Sequence, residues 1–262
     1  MQAVRVLLLV LAALLACAPR LRAENSSVDN GFVLTVATFN VHHPASSDPE
    51  TVEAVGQTGA DMIFLQEVTP SWREVLERRY GAEYPYRWFA VRGGAGGLGI
   101  LSRFPLEDPR LLPPPIKHPA GLVHVKTPAG DVQVLNLHLR SVFTGDNVVS
   151  AFFSVGDDHV QELRAYFPHL ERLPTLIVGD LNENPGAAAT GWLKDRGFVD
   201  ALPRHRRNQY TWRTLGGSIR LALDHILFDG TFESLDAWVM PGGDSDHLPV
   251  VARLLMKRPL QP

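Results

Sequence analysis

The stretch TLIVGDLNENPG, Thr175–Gly186, fixes the frame in which the rest of the chain is read. Thr175–Val178 are apolar or β-branched and read as a buried strand. The run then presents Gly-Asp-Leu-Asn and breaks into turn-forming residues. Side chains alternate along a strand, so Asp180 and Asn182 share a face if the extended conformation persists. An anion beside an amide at a strand end suits a metal-bound phosphate or an attacking water. It equally suits an Asx turn. The other strand ends decide between them.

Several strands end in the same manner. In VLTVATFN (Val33–Asn40), Leu34, Val36, Thr38 and Asn40 share a face that is apolar first and polar last. DMIFLQEV is apolar until Gln66 and Glu67, and VQVLNLHL carries Val132, Val134, Asn136 and His138 on one face. LALDHILFD opens on Asp224, as an antiparallel neighbour sharing the same rim would. GGDSDHLPV places Asp246 and His247 just before the last strand. Exposure to solvent would be met freely by Lys, Ser and Thr. Asn, Glu, His and Asp instead suit metal ligation and proton transfer. Oxygen donors of this kind fit a hard cation such as Mg²⁺ or Mn²⁺ better than zinc, and the sequence holds neither a cysteine cluster nor HExxH.

Strand-like runs cover Val33–Asn40, Met62–Leu65, Gly99–Ser102, Leu122–Lys126, Val132–Leu139, Thr175–Val178, Leu221–Phe228 and Val250–Leu255. Helices are expected after Asp48-Pro49 and Thr69-Pro70, where a cap precedes a proline in the first turn. The second would place Trp72, Val75, Leu76 and Arg79 on one side. A third spans His159 to Leu170 with Val160, Leu163, Tyr166, Phe167 and Leu170 on one face. Short connections between strands and helices indicate an α/β fold with helices outside and sheet inside. Pro-rich LLPPPIKHP, Leu111–Pro119, reads as one loop.

The 262 residues are 45% apolar, enough for a substantial core. A net charge of −3 and a pI near 6.4 give no overall electrostatic hold on nucleic acid, leaving only a local basic patch for that purpose. Val6–Ala18 form thirteen apolar residues after a single positive charge, too few to span a bilayer and suited to a signal-peptide core. Residues 1–23 are therefore expected to be a signal peptide and the protein to be exported, periplasmic or secreted, without a stable membrane span. Cys17 is the only cysteine, so no intrachain disulfide can form. Its setting, LLAC, resembles a lipoprotein processing box, and a lipid anchor at Cys17 is the alternative. Asn25-Ser26-Ser27 is an N-glycosylation acceptor in a eukaryotic secretory pathway.

The pieces TFNV, LQEV, LSRFP, NLHL, GDLN, LDHI and SDHLP, spread from residue 38 to 249, resemble the endonuclease/exonuclease/phosphatase superfamily in identity and order. That resemblance implies a four-layer α/β sandwich over residues 30–257, with two mixed β-sheets packed face to face and helices outside. It also implies divalent-metal-dependent phosphoester hydrolysis; the protein is expected to be a monomer. Carried over residue by residue, it makes Glu67 the main Mg²⁺ or Mn²⁺ ligand, assisted by Asn40, with Asp246 adding a direct or water-mediated contact. His247, oriented by Asp224, contacts the scissile phosphate or acts as general base. Asp180 aligns or activates the attacking water, Asn182 hydrogen-bonds the phosphate, and His138 is a phosphate ligand or general acid. Some relatives carry an acidic ligand where His42 stands. Residues 92–106 lack the acidic residue that supports the His138 equivalent in pancreatic-type relatives. His42 and His43 read as loop residues, Arg103 as a structural ion-pair former, and His225 as packing or surface.

In PRHRRNQYTWR (Pro203–Arg213), Arg206, Arg207, Tyr210 and Trp212 mix cations with rings, which suits a nucleic-acid strand. A solvated loop with Trp212 in the core fits equally well. Gly93–Gly99 is a substrate-covering loop or a tight connection. Three functions stand: a nuclease-type phosphodiesterase, a hydrolase of inositol phosphates or phospholipid head groups, and a catalytically inactive binding module. The complete set of site residues argues against the last.

Overall fold

The computed structural model describes residues 31–141 and 148–257; the expected signal segment and Cys17 lie outside them. The first β-sheet is built from β1 (Gly31–Asn40), β2 (Met62–Gln66), β3 (Tyr86–Ala90), β4 (Leu98–Ser102), β13 (Phe232–Val239) and β14 (Val250–Lys257), in the order β13-β14-β1-β2-β4-β3. The second contains β5 (Leu106–Leu112), β6 (Ala120–Thr127), β7 (Gly130–His138), β8 (Thr175–Asp180), β9 (Val199–Asp200) and β12 (Asp224–Phe228), in the order β5-β6-β7-β8-β12-β9. A small ribbon, β10 (Trp212–Thr214) and β11 (Ile219–Leu221), stands apart.

Period-2 alternation builds the layers. Leu34, Val36, Met62 and Phe64 of the first sheet pack against Val132, Val134, Leu176, Val178 and Ile226 of the second. The residues between them face outward. Ala37, Phe39, Ile63 and Leu65 meet α1 (Pro49–Gln57) and α2 (Pro70–Tyr80). Leu135, Leu137, Ile177 and Leu227 meet α3 (Val148–Tyr166) and α4 (Ala188–Lys194). Each large apolar side chain removed from water contributes roughly 1.5–3 kcal/mol, so these interfaces hold the stack. The result is the four-layer sandwich. No helix among the described residues is long and apolar enough to cross a membrane.

Both expected caps form: Asp48 accepts from the Thr51 amide and Thr69 from the Trp72 amide. Three details differ from expectation. On α2 the buried residues are Trp72, Leu76 and Tyr80, while Arg79 stays outside in a salt bridge with Glu53. On α3 the buried face includes His159 and Glu162 where Val160 was expected, because both polar groups find partners below the sheet rim. Leu221–Phe228 is two strands. The Ala222 amide donates to Asn184 Oδ1, and the Leu223 amide to Thr211 Oγ1, so the chain leaves the ribbon there before entering the sheet.

Candidate active site

Register brings the second sheet's polar ends together. Asp180 on β8 pairs with His138 on parallel β7 and with Asp224 on antiparallel β12. All three continue the inward alternation of Val134, Val178 and Ile226, so they emerge side by side where the apolar core ends. Gly179 makes this row possible. Its φ is +132°, and a Cβ there would lie 2.0 Å from the Leu137 carbonyl oxygen. The strand ends at Asp180. Asn182 has φ +52°, so the extended run expected through Asn182 gives way to a left-handed turn that still delivers it to the cleft. Asn182 Nδ2 donates to the Leu139 carbonyl, and its own amide donates to Asp180 Oδ1 at 2.9 Å.

The first sheet supplies the opposite wall. Gln66 Nε2 donates to Asn136 Oδ1 at 2.7 Å and to Thr38 Oγ1, forming a buried polar floor between the sheets. Asn40, in register with Gln66, donates from Nδ2 to Glu67 Oε1 at 3.2 Å and to Asp180 Oδ2 at 3.1 Å. One amide thus joins the two walls. Glu67 leaves its strand with φ +63°, which turns its carboxylate toward the cleft. The His43 amide and His43 Nδ1 both meet Glu67 Oε2, at 3.0 and 2.7 Å. Burial would raise the pKa of Glu67, but the His138 charge and the His43 and Asn40 hydrogen bonds outweigh it and hold it at about 2. His43 is thus a site residue. Its partner is 24 positions away, and no local pattern announces the contact.

His247 sits across from this pair, held by its amide bond to Ser245 Oγ and by a bridge to Trp212. Its Nδ1 is 2.9 Å from Asp224 Oδ2 and its Nε2 is 3.5 Å from Asp180 Oδ2. Burial disfavours the imidazolium, yet the two carboxylates and the Asp224 hydrogen bond raise its pKa to about 10. Burial pushes Asp224 up, opposed by His247. The pair therefore stands as imidazolium and carboxylate, each justifying the other's charge in a dry setting.

His138 also meets Asp180, Nε2 to Oδ2 at 3.6 Å. The acidic support missing from residues 92–106 is replaced by the Ala95 carbonyl, 3.0 Å from Nδ1. A carbonyl can only accept, so Nδ1 carries hydrogen.

Of the expected metal ligands, Glu67 offers hard carboxylate oxygens that fit Mg²⁺ or Mn²⁺, while Asn40 meets it through its amide nitrogen and its Oδ1 accepts from the His42 amide at 3.1 Å. Asp246 lines the same cleft but is engaged by Trp212 Nε1 at 2.8 Å and His42 Nδ1 at 3.3 Å. Ligand atoms of Asp180, Asp224 and His247 also lie within 4.8 Å of one another. There both ring nitrogens of His247 already face the two carboxylates. Ionised Glu67 is thus the better centre for a cation.

The basic segment separates. Arg206 is drawn to Asp236 at 3.2 Å, half-exposed, because that carboxylate lies beside it. Trp212 is 7% exposed and tethers Asp246, so its expected role as a ring for stacking a base becomes one of holding the cleft wall. Arg206, Arg207 and Tyr210 nevertheless line one groove of about 660 Å³ with Asn184 and Arg220. Arg220 escaped the sequence reading; its guanidinium lies 4.7 Å from the Tyr210 ring centroid. Arg103 bonds Asp61 and Glu83, and His225 is buried, both structural as expected.

The sequence matches the model of the Endonuclease/Exonuclease/phosphatase family over residues 37–247. No curated protein sequence matches the chain. Solved structures share the fold. An endonuclease/exonuclease/phosphatase from Beutenbergia cavernae aligns with TM-score 0.69 at 20% identity, covering 87% of this chain and 73% of that one. An AP endonuclease from Archaeoglobus fulgidus gives 0.66 at 19%, covering 84% and 98%. D. rerio TDP2 complexed with single strand DNA product gives 0.65 at 16%, covering 85% and 98%.

Proposed function

The chain belongs to the endonuclease/exonuclease/phosphatase family, and from that premise we propose that it is an exported, divalent-metal-dependent phosphodiesterase of nuclease type. The observation that carries this reading is the meeting of Glu67, His138, Asp180, Asn182 and His247 in one cleft of about 410 Å³, with Asn40 bridging Glu67 to Asp180 and Asp224 behind His247.

Glu67, with Asn40 beside it, would hold the cation, which would supply charge neutralisation at the phosphoryl oxygens. His247 donates to a non-bridging oxygen. It is a poor base, because both its ring nitrogens face carboxylates and it already holds its protons. Asp180 therefore orients the attacking water and takes its proton. The water oxygen bonds to phosphorus, the bond to the leaving oxygen breaks, and His138 delivers the Nε2 proton to that oxygen. Asn182 adds a donor as charge builds. Asp246, tethered by Trp212, stands at the cleft's edge. Arg207, Arg220 and Tyr210 offer cations and a ring to an extended polyanion, which supports a nucleic-acid strand over a compact head group.

Purified protein is expected to lose hydrolysis in EDTA and regain it with Mg²⁺ or Mn²⁺, and Glu67→Gln to lower kcat by ~10²-fold or more. Full activity in EDTA would overturn the reading. Single-stranded DNA and RNA should outcompete inositol phosphates and sphingomyelin as substrates; the reverse order moves the assignment to a head-group hydrolase. Export as a monomer, with residues 1–23 removed, completes the proposal. N-terminal sequencing of the secreted protein checks the cleavage, and palmitate incorporation lost in Cys17→Ala would select the lipid-anchored form.

A further inference from the structure

His118 lies in the Pro-rich connection between β5 and β6, far in sequence from every residue assigned a role above. Its ring stacks on that of His138, with centroids 4.6 Å apart and planes 14° from parallel, and it lines the same cleft. Tyr166 of α3 holds its main chain by donating to the His118 carbonyl at 2.7 Å. The other support of His138 is equally fixed. The loop carrying Ala95 is bonded to Val68 from both sides, Val68 amide to Gly97 oxygen and Arg92 amide to Val68 oxygen. A Cβ on Gly97 would lie 1.9 Å from the Val68 oxygen, so this part of the Gly93–Gly99 loop is a tight connection. The hydrogen bond to Ala95 sets the direction of Nδ1, and the 3.6 Å contact of Nε2 with Asp180 is too long to stop the ring from swinging about that bond. A flat ring packed on its face removes the swing.

We infer that His118 is a positioning residue for His138, its stacked face and the Ala95 carbonyl together holding Nε2 toward the leaving oxygen where pancreatic-type relatives use a carboxylate. The inference rests on the phosphoester reading, with His138 as the proton donor described above. The charged groups facing His118 are Lys117, His138, Glu67 and Asp180. Burial, His138 and Lys117 lower the pKa of His118 to about 4, against the pull of Glu67 and Asp180, so it stacks on its partner uncharged.

The test compares His118→Ala and His118→Phe in the full chain on two diesters. Bis(p-nitrophenyl) phosphate has a leaving group that needs no proton, whereas an oligonucleotide leaves through a sugar hydroxyl that does. His118→Ala should lower kcat on the oligonucleotide by ~10-fold, a part of the ~10²–10⁴ that a general acid supplies. KM and the rate on the nitrophenyl ester should stay within about 3-fold, the scale of effects without proton transfer. His118→Phe, which keeps the stack and loses the nitrogens, should restore most of the loss. Equal losses on both diesters, or a Phe variant no better than Ala, would overturn the inference when thermal melting shows both variants as stable as the native chain. His138→Ala is the control. If it hydrolyses the oligonucleotide normally, the proton-donor premise falls and takes the inference with it. If it collapses while His118→Ala is unaffected, only the role of His118 falls.

Discussion

Asp224 and His225 are consecutive on β12, and each is half of a buried carboxylate–imidazole pair. Asp224 faces the inter-sheet layer and meets His247 Nδ1 at 2.9 Å. His225 faces the helical side and meets Asp200 Oδ2 at 2.7 Å. The histidines are similarly hidden, 5% and 1% exposed. The second nitrogen distinguishes them. In His225, Nε2 donates to the Glu183 carbonyl at 2.8 Å, so every polar atom of the ring is consumed. In His247, Nε2 looks past Asp180 into the cleft. Burial and pairing are common to both sites; an opening beside one nitrogen is what leaves the His247 pair within reach of the cleft. A perturbed histidine is thus a functional candidate only with its access specified.

The sharpest way to break this contrast is to remove each pair in turn. His247→Ala and Asp224→Ala should each lower kcat by ~10²–10³-fold, and the double variant should be barely worse than the worse single, since the two act as a unit. Losses that multiply at unchanged stability would separate Asp224 from His247.

The effect at the other pair should fall on stability. His225→Phe leaves Asp200 charged and unpartnered beneath the helical layer, which costs ~3–5 kcal/mol and lowers Tm by roughly 10 °C at this chain size. The kcat of the molecules that remain folded should stay within a few-fold. The pH dependence sharpens the point. Burial alone would lower the His225 pKa, but Asp200 and the Glu183 carbonyl raise it to about 9. A raised folded pKa gives stability that is complete below the unfolded value near 6.5 and lost as pH rises through about 9. Melting curves should therefore fall across that window by more in the native chain than in His225→Phe. Equal slopes, or a kcat loss matching that of His247→Ala, would erase the distinction.

Much of this could be read in the chain. The strands bearing Asn40, His138, Asp180 and Asp224 alternate cleanly and end in one polar group, so layer, face and rim follow from spacing. Less regular strands did not announce themselves. β13 shifts register between Ser234 and Asp236, and β5 between Glu107 and Arg110, which breaks the period-2 pattern. α4 and the five-residue helix Ala201–His205 are too short for a helical period to stand out. His43 and His118 were hidden for another reason. Their partners, Glu67 and His138, come from other elements, and nothing local marks a loop histidine that will meet them.

The adjacency on β12 has a consequence for sequence change. Every strand in the second sheet could trade one apolar residue for another at modest cost, but β12 writes two incompatible instructions in consecutive letters. Deleting or inserting one residue in the short link Ala222–Leu223 would slide the strand by one place against β8, where Asp224 now faces Asp180. An imidazole would then point into the cleft and a carboxylate into the helical layer. Cleft and core would fail in the same step. Length in that link is thus as constrained as the identity of the two residues after it.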